Sequence, residues 1–443
     1  MQSRSRAREG ATTAPLPPPH LPPAGRDGAD PLPAARGAGA LRLQTFSSLR
    51  YRNYRYLFFS QLFSSAGQWI QQVTLSWLVY DLTESALLLG AINGVRAVPF
   101  LIAGPLGGVA ADRVDRRYLM MSTQVFLAVT ALVLGLLVAT DRVEVWHLFA
   151  FTLCTGIAWS FNQPVRQALV PSLVPKQDLM NAIALNSAAF NITRVIGPTV
   201  GGLLIGAFGV AGNFFVQAVA YLGVVAMVFF MELPPRSETQ PRRSSVGRDL
   251  MAGLRYVRED TLILSIIGLA LIPMIFAMPY VTLMPVFAKD VLGLGPGGLG
   301  LLISAPGFGA LAATLTLASL SGFRRKGILT LTAAACLGGF LILFATSSWL
   351  PVSMLVLVGV GACQMAFMAT NNTLLQLLVP DEYRGRVMSI YMLDMGLTPL
   401  GALFAGALAS GMGAPTAVAV MGALVVALAL VAMVRLPALR RLE

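Results

Sequence analysis

The chain has 443 residues, of which 56% are hydrophobic and only 12% charged, and its mean hydropathy is +0.71. A soluble domain carries roughly twice that charged fraction, so the composition excludes a water-soluble protein with a large core and predicts an integral membrane protein. The net charge of +12 and pI near 10.2 would suggest nucleic acid in a soluble chain; in a membrane chain the same residues set topology, and no nucleic-acid partner is expected.

Residues 1–44 are rich in Pro, Ala, Gly and Arg without hydrophobic periodicity, which predicts a disordered tail. They lack the apolar centre and cleavage region of a secretory signal. Apolar runs of about 20 residues then recur almost to the end, each long enough to cross the hydrocarbon as a helix. The pattern predicts twelve spans, at 54–80, 85–110, 118–139, 145–169, 181–208, 212–231, 261–287, 297–320, 327–346, 350–378, 387–410 and 414–434. One set of connections carries Arg113, Arg116, Arg117, Lys176, Arg236, Arg242, Arg243, Arg248, Arg255, Arg258, Arg324, Arg325, Lys326, Arg384 and Arg386; the other carries little beyond Arg142 and Lys289. Positive charge collects on the cytoplasmic side, so both termini are expected in the cytoplasm, with the chain in the cell (inner or plasma) membrane.

The longest connection, 232–260, separates a six-helix half at 45–231 from a second at 261–436, with a short tail at 437–443. Residues 246–258 within it fit an amphipathic helix lying on the inner membrane surface. A weak repeat supports the division: Leu173-Val174-Pro175 precedes the fifth span and Leu378-Val379-Pro380 the eleventh. Cys154, Cys336 and Cys363 all fall in apolar segments, as packing residues do. His20 and His147 are the only histidines, so neither histidine catalysis, a metal site nor a cofactor is expected, and an enzyme is disfavoured.

Between the second and third spans, residues 108–119 read Gly-Val-Ala-Ala-Asp-Arg-Val-Asp-Arg-Arg-Tyr-Leu. This resembles the signature loop of major facilitator superfamily transporters at Gly108, Ala111, Asp112, Arg113, Arg116, Arg117 and Leu119. Ala110 and Asp115 depart from it, standing where Leu and a second Gly are usual. The resemblance implies an all-α membrane fold of twelve helices in two six-helix bundles. It also implies a latch: Asp112 beside the N-terminal end of the eleventh helix, whose partial positive charge attracts an anion, with Arg113, Arg116 and Arg117 around it.

Gly197-Pro198-Thr199-Val200-Gly201-Gly202 resembles the end of a motif found in exporters of that superfamily, although Ala184 and Thr193 stand where its upstream glycines would be. Pro198 weakens the helix backbone and the glycines permit close approach, so Gly197, Pro198, Gly201 and Gly202 form a candidate hinge against the eighth span. Many such exporters place an arginine in the fourth span; Thr152 stands there in this chain. The segments Asn162–Ala168 and Asn191–Pro198 look like the branch containing enterobactin-type siderophore exporters and macrolide efflux proteins. The resemblance covers everything after the tail and is sharper in the first half.

Polar residues inside the spans supply the candidate site. Gln61, Ser65, Gln68 and Gln72 follow i, i+4, i+7, i+11 spacing, a stripe suited to a water-filled cavity; Ser187, Asn191 and Arg194 do the same in the fifth span. Arg96 lies mid-span in the second helix, and Asp394 is the carboxylate placed well inside a span. Intramembrane charges are costly unless paired or hydrated. Gln61, Gln68, Gln72, Arg96, Gln163, Asn191 and Arg194 are therefore candidate cavity residues, and Asp394 the candidate proton carrier. Pro273, Pro279 and Pro285 predict a bent seventh span. Gly293-Leu294-Gly295-Pro296-Gly297-Gly298 matches a nucleotide fingerprint only formally, since it follows a membrane helix.

The expectation is a monomeric exporter of a small amphiphilic molecule, drug or siderophore, working by alternating access with protons as the coupling ion and the lipid bilayer as its setting. An importer of a small polar solute and a non-transporting receptor or scaffold on the same fold are the alternatives.

Overall fold

The structure is a computed structural model that describes residues 46–96, 98–99, 114–232, 246–319, 325–440 and 442. The expected tail at 1–44, the inner end of the second span and part of the linker lie outside the described residues. Among those described, all regular structure is helical. This is what a bilayer demands of a spanning chain, because each backbone N–H and C=O must find its partner inside the segment.

The helices are α1 (Arg52–Thr83), α2 (Ala86–Val95), α3 (Arg116–Ala139), α4 (Val145–Leu173) and α5 (Leu179–Phe229), then a linker helix α6 (Val246–Glu259). The second half holds α7 (Thr261–Phe276), α8 (Pro296–Ser319), α9 (Lys326–Ala345), α10 (Leu350–Leu378), α11 (Asp381–Leu393), α12 (Thr398–Met412) and α13 (Ala414–Arg435). Seven helical stretches among the described residues are long and apolar enough to cross a membrane, and α2 and α12 are shorter apolar helices. These elements are consistent with twelve spans.

Local signals start and stop them. Ser85, Asp115 and Asp260 cap α2, α3 and α7 by accepting from first-turn N–H groups, which otherwise lack partners. Glu144 and His147 form a reciprocal cap at the start of α4, so His147 is a capping residue. The long α5 contains two spans. Gly209, with φ 72°, breaks the helix in the left-handed region that glycine enters freely. Asn213 then donates to the Gly201 carbonyl at 3.0 Å. Twelve positions along a straight helix would separate them by about 18 Å, so the chain folds back at Gly209.

The proline-rich seventh span is bent as its sequence predicts. α7 ends at Phe276; a 3-10 stretch (Met278–Leu283), one α turn (Met284–Val286) and a π turn (Phe287–Val291) continue it. Pro279 and Pro285 each open one of these turns, where a missing N–H costs least. The eleventh span is also broken, by a 3-10 turn at Asp394–Leu397 between α11 and α12.

In the first half α1 and α3 pack on α5; in the second α9 packs on α10 and α13, and α8 on α10. The halves meet along α2 with α12 and α5 with α8. The predicted linker helix forms. It docks on α11: Tyr256 stacks on Tyr383 with centroids 4.5 Å apart, a Cβ on Gly253 would lie 3.0 Å from Arg386, and Val257 is buried. Stacked aromatics and buried apolar area hold the helix to protein, while Met251 and Leu254 stay exposed.

Candidate functional site

The polar residues of α1 fall into two adjacent stripes. Ser60, Ser64, Gly67, Gln71 and Thr74 are all buried. The Gln71 carbonyl accepts from Gln217 at 2.8 Å and from the Tyr221 hydroxyl at 3.2 Å, while its amide donates to Thr155 at 3.3 Å. Asn213 donates to Thr74 at 2.7 Å. This buried stripe has the same helical spacing as Gln61, Ser65, Gln68 and Gln72, so spacing alone did not tell which one the bundle encloses. Gln61 donates to Ser65 at 2.7 Å, Gln72 accepts from Arg96 at 3.0 Å, and Gln61, Gln68 and Gln72 are half-buried.

Three arginines stand inside the bundle, in three different settings. Arg96 stays within the first half. With Gln72 and Thr152 it lines a small pocket, so a guanidinium from α2 lies beside the fourth-span position where the family pattern puts one. Arg166, on α4, is buried; its Nη1 donates to Ser60 at 3.0 Å, and Nε and Nη2 have no partner among the described residues. In the sequence it lies close to the end of the predicted fourth span, where an arginine is unremarkable. Arg194 instead faces the opposite half across a cavity of about 160 Å³, lined also by Trp69, Met278, Tyr280, Gln364, Met365 and Met368. None of the three has an ion pair among the described residues. Arg96 and Arg194, expected in one cavity, are thus in separate compartments.

The second half contributes an apolar wall rich in methionine. A further cavity of about 290 Å³ is lined by Met274, Met278, Met365, Met368 and Met392, with Gln364, Asn372 and Tyr391. Methionine adapts to ligand shape at little cost. Asn191 lies on neither of these cavities but on a groove of about 470 Å³ between α5 and α8, and its amide donates to the Ser187 carbonyl at 2.9 Å. Gln163 is exposed.

The glycine motif sits where α5 touches two neighbours. Cβ atoms on Gly197 and Gly201 would lie 2.7 and 3.2 Å from Trp69 and Ile70 of α1. A Cβ on Gly202 would run into the Pro296 carbonyl of α8, and one on Gly300 into the Pro198 carbonyl. Thr199 donates through both its N–H and hydroxyl to Ser304, at 3.1 and 2.8 Å. On the other flank Gly90 lies against Gly406 and the Ala402 carbonyl. Lys289 pairs with Asp81 at 3.1 Å and Glu84 at 3.6 Å, and the Tyr80 hydroxyl donates to Asp290. These contacts join the two halves.

Of the expected latch, Gly108, Asp112 and Arg113 lie outside the described residues. Arg117 donates to the Phe229 carbonyl and lies over that ring; Arg116 is half-buried with its Nε unpartnered among the described residues. Asp115, at the second departure from the family pattern, caps α3 through the N–H groups of Arg117 and Tyr118, at 2.8 and 3.2 Å. Asp394 opens the 3-10 break in the eleventh span; its side chain lies outside the described residues.

Comparison with known proteins agrees with this architecture. The staphyloferrin A transporter of Staphylococcus aureus is 26% identical over 370 residues, covering 83% of this chain and 92% of that protein. Macrolide efflux protein A of Streptococcus pyogenes is 23% identical, covering 86% and 96%. The enterobactin exporter of Shigella boydii is 25% identical, covering 82% and 85%. Among solved structures, the nucleoside transporter NupG has a TM-score of 0.70 at 14% identity, with 87% of this chain and 99% of that one covered. A bacterial homolog of the human lysosomal transporter Spinster gives 0.67 at 15%, covering 88% and 96%. At these identities the solved structures speak for the fold alone. The family profile described as transmembrane secretion effector matches residues 43–443, and the chain belongs to that family of major facilitator superfamily transporters, as a multi-pass membrane protein and not an enzyme.

Proposed function

We propose that the protein exports a small amphiphilic molecule, a drug or a siderophore, by alternating access between two bundles at 45–231 and 261–436, joined by the linker at 232–260. The observation that carries this reading is the cavity between the halves, with Arg194, which has no ion pair among the described residues, on one wall and methionines on the other; the contacts of Lys289 and Thr199 across the halves are read as a closed end. The names of the similar macrolide efflux protein and enterobactin exporter support export as the direction.

In this reading both termini are cytoplasmic, the protein is a monomer in the cell membrane, and the closed end faces outward. Protons flow inward as substrate leaves, with Asp394 as carrier. Asp112, with Gly108, Arg113, Arg116 and Arg117, latches the cytoplasmic end in the opposite state. Gly197, Pro198, Gly201 and Gly202 form the hinge and packing motif, Pro198 and Gly202 on the side where α5 slides against α8 and Gly197 and Gly201 on the side that α1 covers, and Gln61, Gln68, Gln72, Arg96, Gln163 and Asn191 complete the polar side of the path.

The test is intracellular accumulation of a panel of antibiotics and siderophores in cells making the wild type or Asp112→Asn, with and without a protonophore. Lower accumulation of one compound class, abolished by both the substitution and the protonophore, is expected. Accumulation that rises with the wild type would overturn export.

A further inference from the structure

We propose that the Arg194 cavity and the groove between α5 and α8 form one binding site for a single-chain anionic amphiphile, its head at Arg194 and Trp69 and its apolar tail in the groove. The proposal rests on the reading of that cavity as ligand-binding, and not on the direction of transport.

The head end is defined by two donors left without acceptors. Arg194 has no ion pair or hydrogen bond among the described residues, and its Nε and the Trp69 Nε1 are buried without partners. Both side chains line the same cavity. A cation away from water needs a counter-charge or an acceptor. No carboxylate lines this cavity among the described residues, so an arriving anion would satisfy both donors at once.

The tail end is apolar by a different route. Ile192, Ile196, Phe308 and Leu311 line the groove and are each more than half exposed, as side chains facing lipid are. Its two polar side chains are already engaged with their own helices: Asn191 with the Ser187 carbonyl and Thr314 with the Ala310 carbonyl. Gly307, Ala310 and Met365 line the groove and the Arg194 cavity alike. The α8 wall between them reads Gly307-Phe308-Gly309-Ala310, where Ala310 carries only a methyl group. Gly307 packs closely on Val195, so the groove and the cavity adjoin at Ala310 and Met365. A molecule dissolved in the bilayer can therefore reach the arginine sideways, tail trailing into lipid.

The experiment uses the full chain in phosphatidylcholine nanodiscs, with 2-bromododecanoate as probe; bromine beside the carboxylate quenches a nearby indole. Saturable quenching is expected, and it should vanish in Trp69→Phe. Arg194→Gln should weaken it by about tenfold or more, the loss expected of a charge-assisted hydrogen bond, and Arg194→Lys should restore part of it. The uncharged 2-bromododecan-1-ol should bind as weakly to the wild type as the acid does to Arg194→Gln. Leu311→Asn, at a position that lines the groove and not the Arg194 cavity, should weaken the twelve-carbon acid while leaving 2-bromobutanoate unchanged. Equal binding of acid and alcohol, or no effect of Arg194→Gln, would overturn the charged head. Full competition by phosphatidylglycerol added to the nanodisc would overturn the single chain. Because binding is read without transport, failure of export in cells leaves this result standing, and its own failure leaves export standing.

Discussion

Arg166 sets the terms at the scale of single residues. It is buried, has one hydrogen bond, to Ser60, and has no anion beside it among the described residues. A desolvated charge is weak evidence for stability, because an apolar group of similar shape avoids the cost of removing it from water, whereas stripping its partner leaves the cost and takes away the compensation. Arg166→Met is therefore expected to unfold at the same temperature as the wild type or higher, and Ser60→Ala at a lower one, by about 1–3 kcal/mol of lost hydrogen bonding. Thermal unfolding of the two purified variants in one detergent checks the order. Sequence reasoning found Arg194 and Arg96 from their depth in a span, but not Arg166, whose burial comes from α1 packing over it. It likewise selected Gln72 and passed over Gln71. Two stripes on one helix have the same period, and only the position of α5 decides which lies inside. Asp115 was visible as a departure from the family loop; its purpose, two bonds to the first turn of α3, emerges only from the backbone.

Among the elements, the legible part is what a local pattern dictates. Span positions follow from apolar runs, and the bend of the seventh from three prolines. The linker helix follows from its periodicity. Its docking on α11 does not, because the pairing of Tyr256 with Tyr383 joins residues more than a hundred positions apart. The glycine motif falls between these cases: its small residues were readable, but their division between Trp69 and Ile70 on one side and Pro296 and Gly300 on the other required the structure. That division makes a prediction about sliding. Gly300→Leu would drive a side chain into the Pro198 carbonyl, and overpacking in such a contact costs about 1–3 kcal/mol. The variant should fold, because α8 retains its contacts with α10, but should spend less time closed at this end. Spin labels at the ends of α5 and α8 should report a longer distance, and an unchanged distance would exclude the glycines as the closing surface.

For the whole molecule, closure of one end combines a few polar links with close backbone contact. Lys289 with Asp81 and Glu84 is partly exposed, and such pairs are each worth about 0.2–1 kcal/mol. Lys289→Ala should consequently shift the balance towards opening only several-fold, and the wild type should show a similar shift at high salt. Accessibility of a cysteine placed at Asn93 to a membrane-impermeant thiol reagent, measured against ionic strength on the three-cysteine background replaced by serine, tests both statements. A shift of a hundredfold would mean that the ion pairs, and not the glycine contacts, carry the closure. The two-bundle fold was legible from span count and repeat; the contacts that join the halves were not, since they link distant helices. The arginines inside the bundle, without ion pairs among the described residues, give this rocking an electrical side. A charge that crosses the bilayer field gains or loses about 2.3 kcal/mol per 100 mV, so a fractional displacement of Arg194 is comparable with the links just described. Reorientation of the empty protein would then generate a transient current and depend on membrane voltage, whatever ion accompanies the substrate.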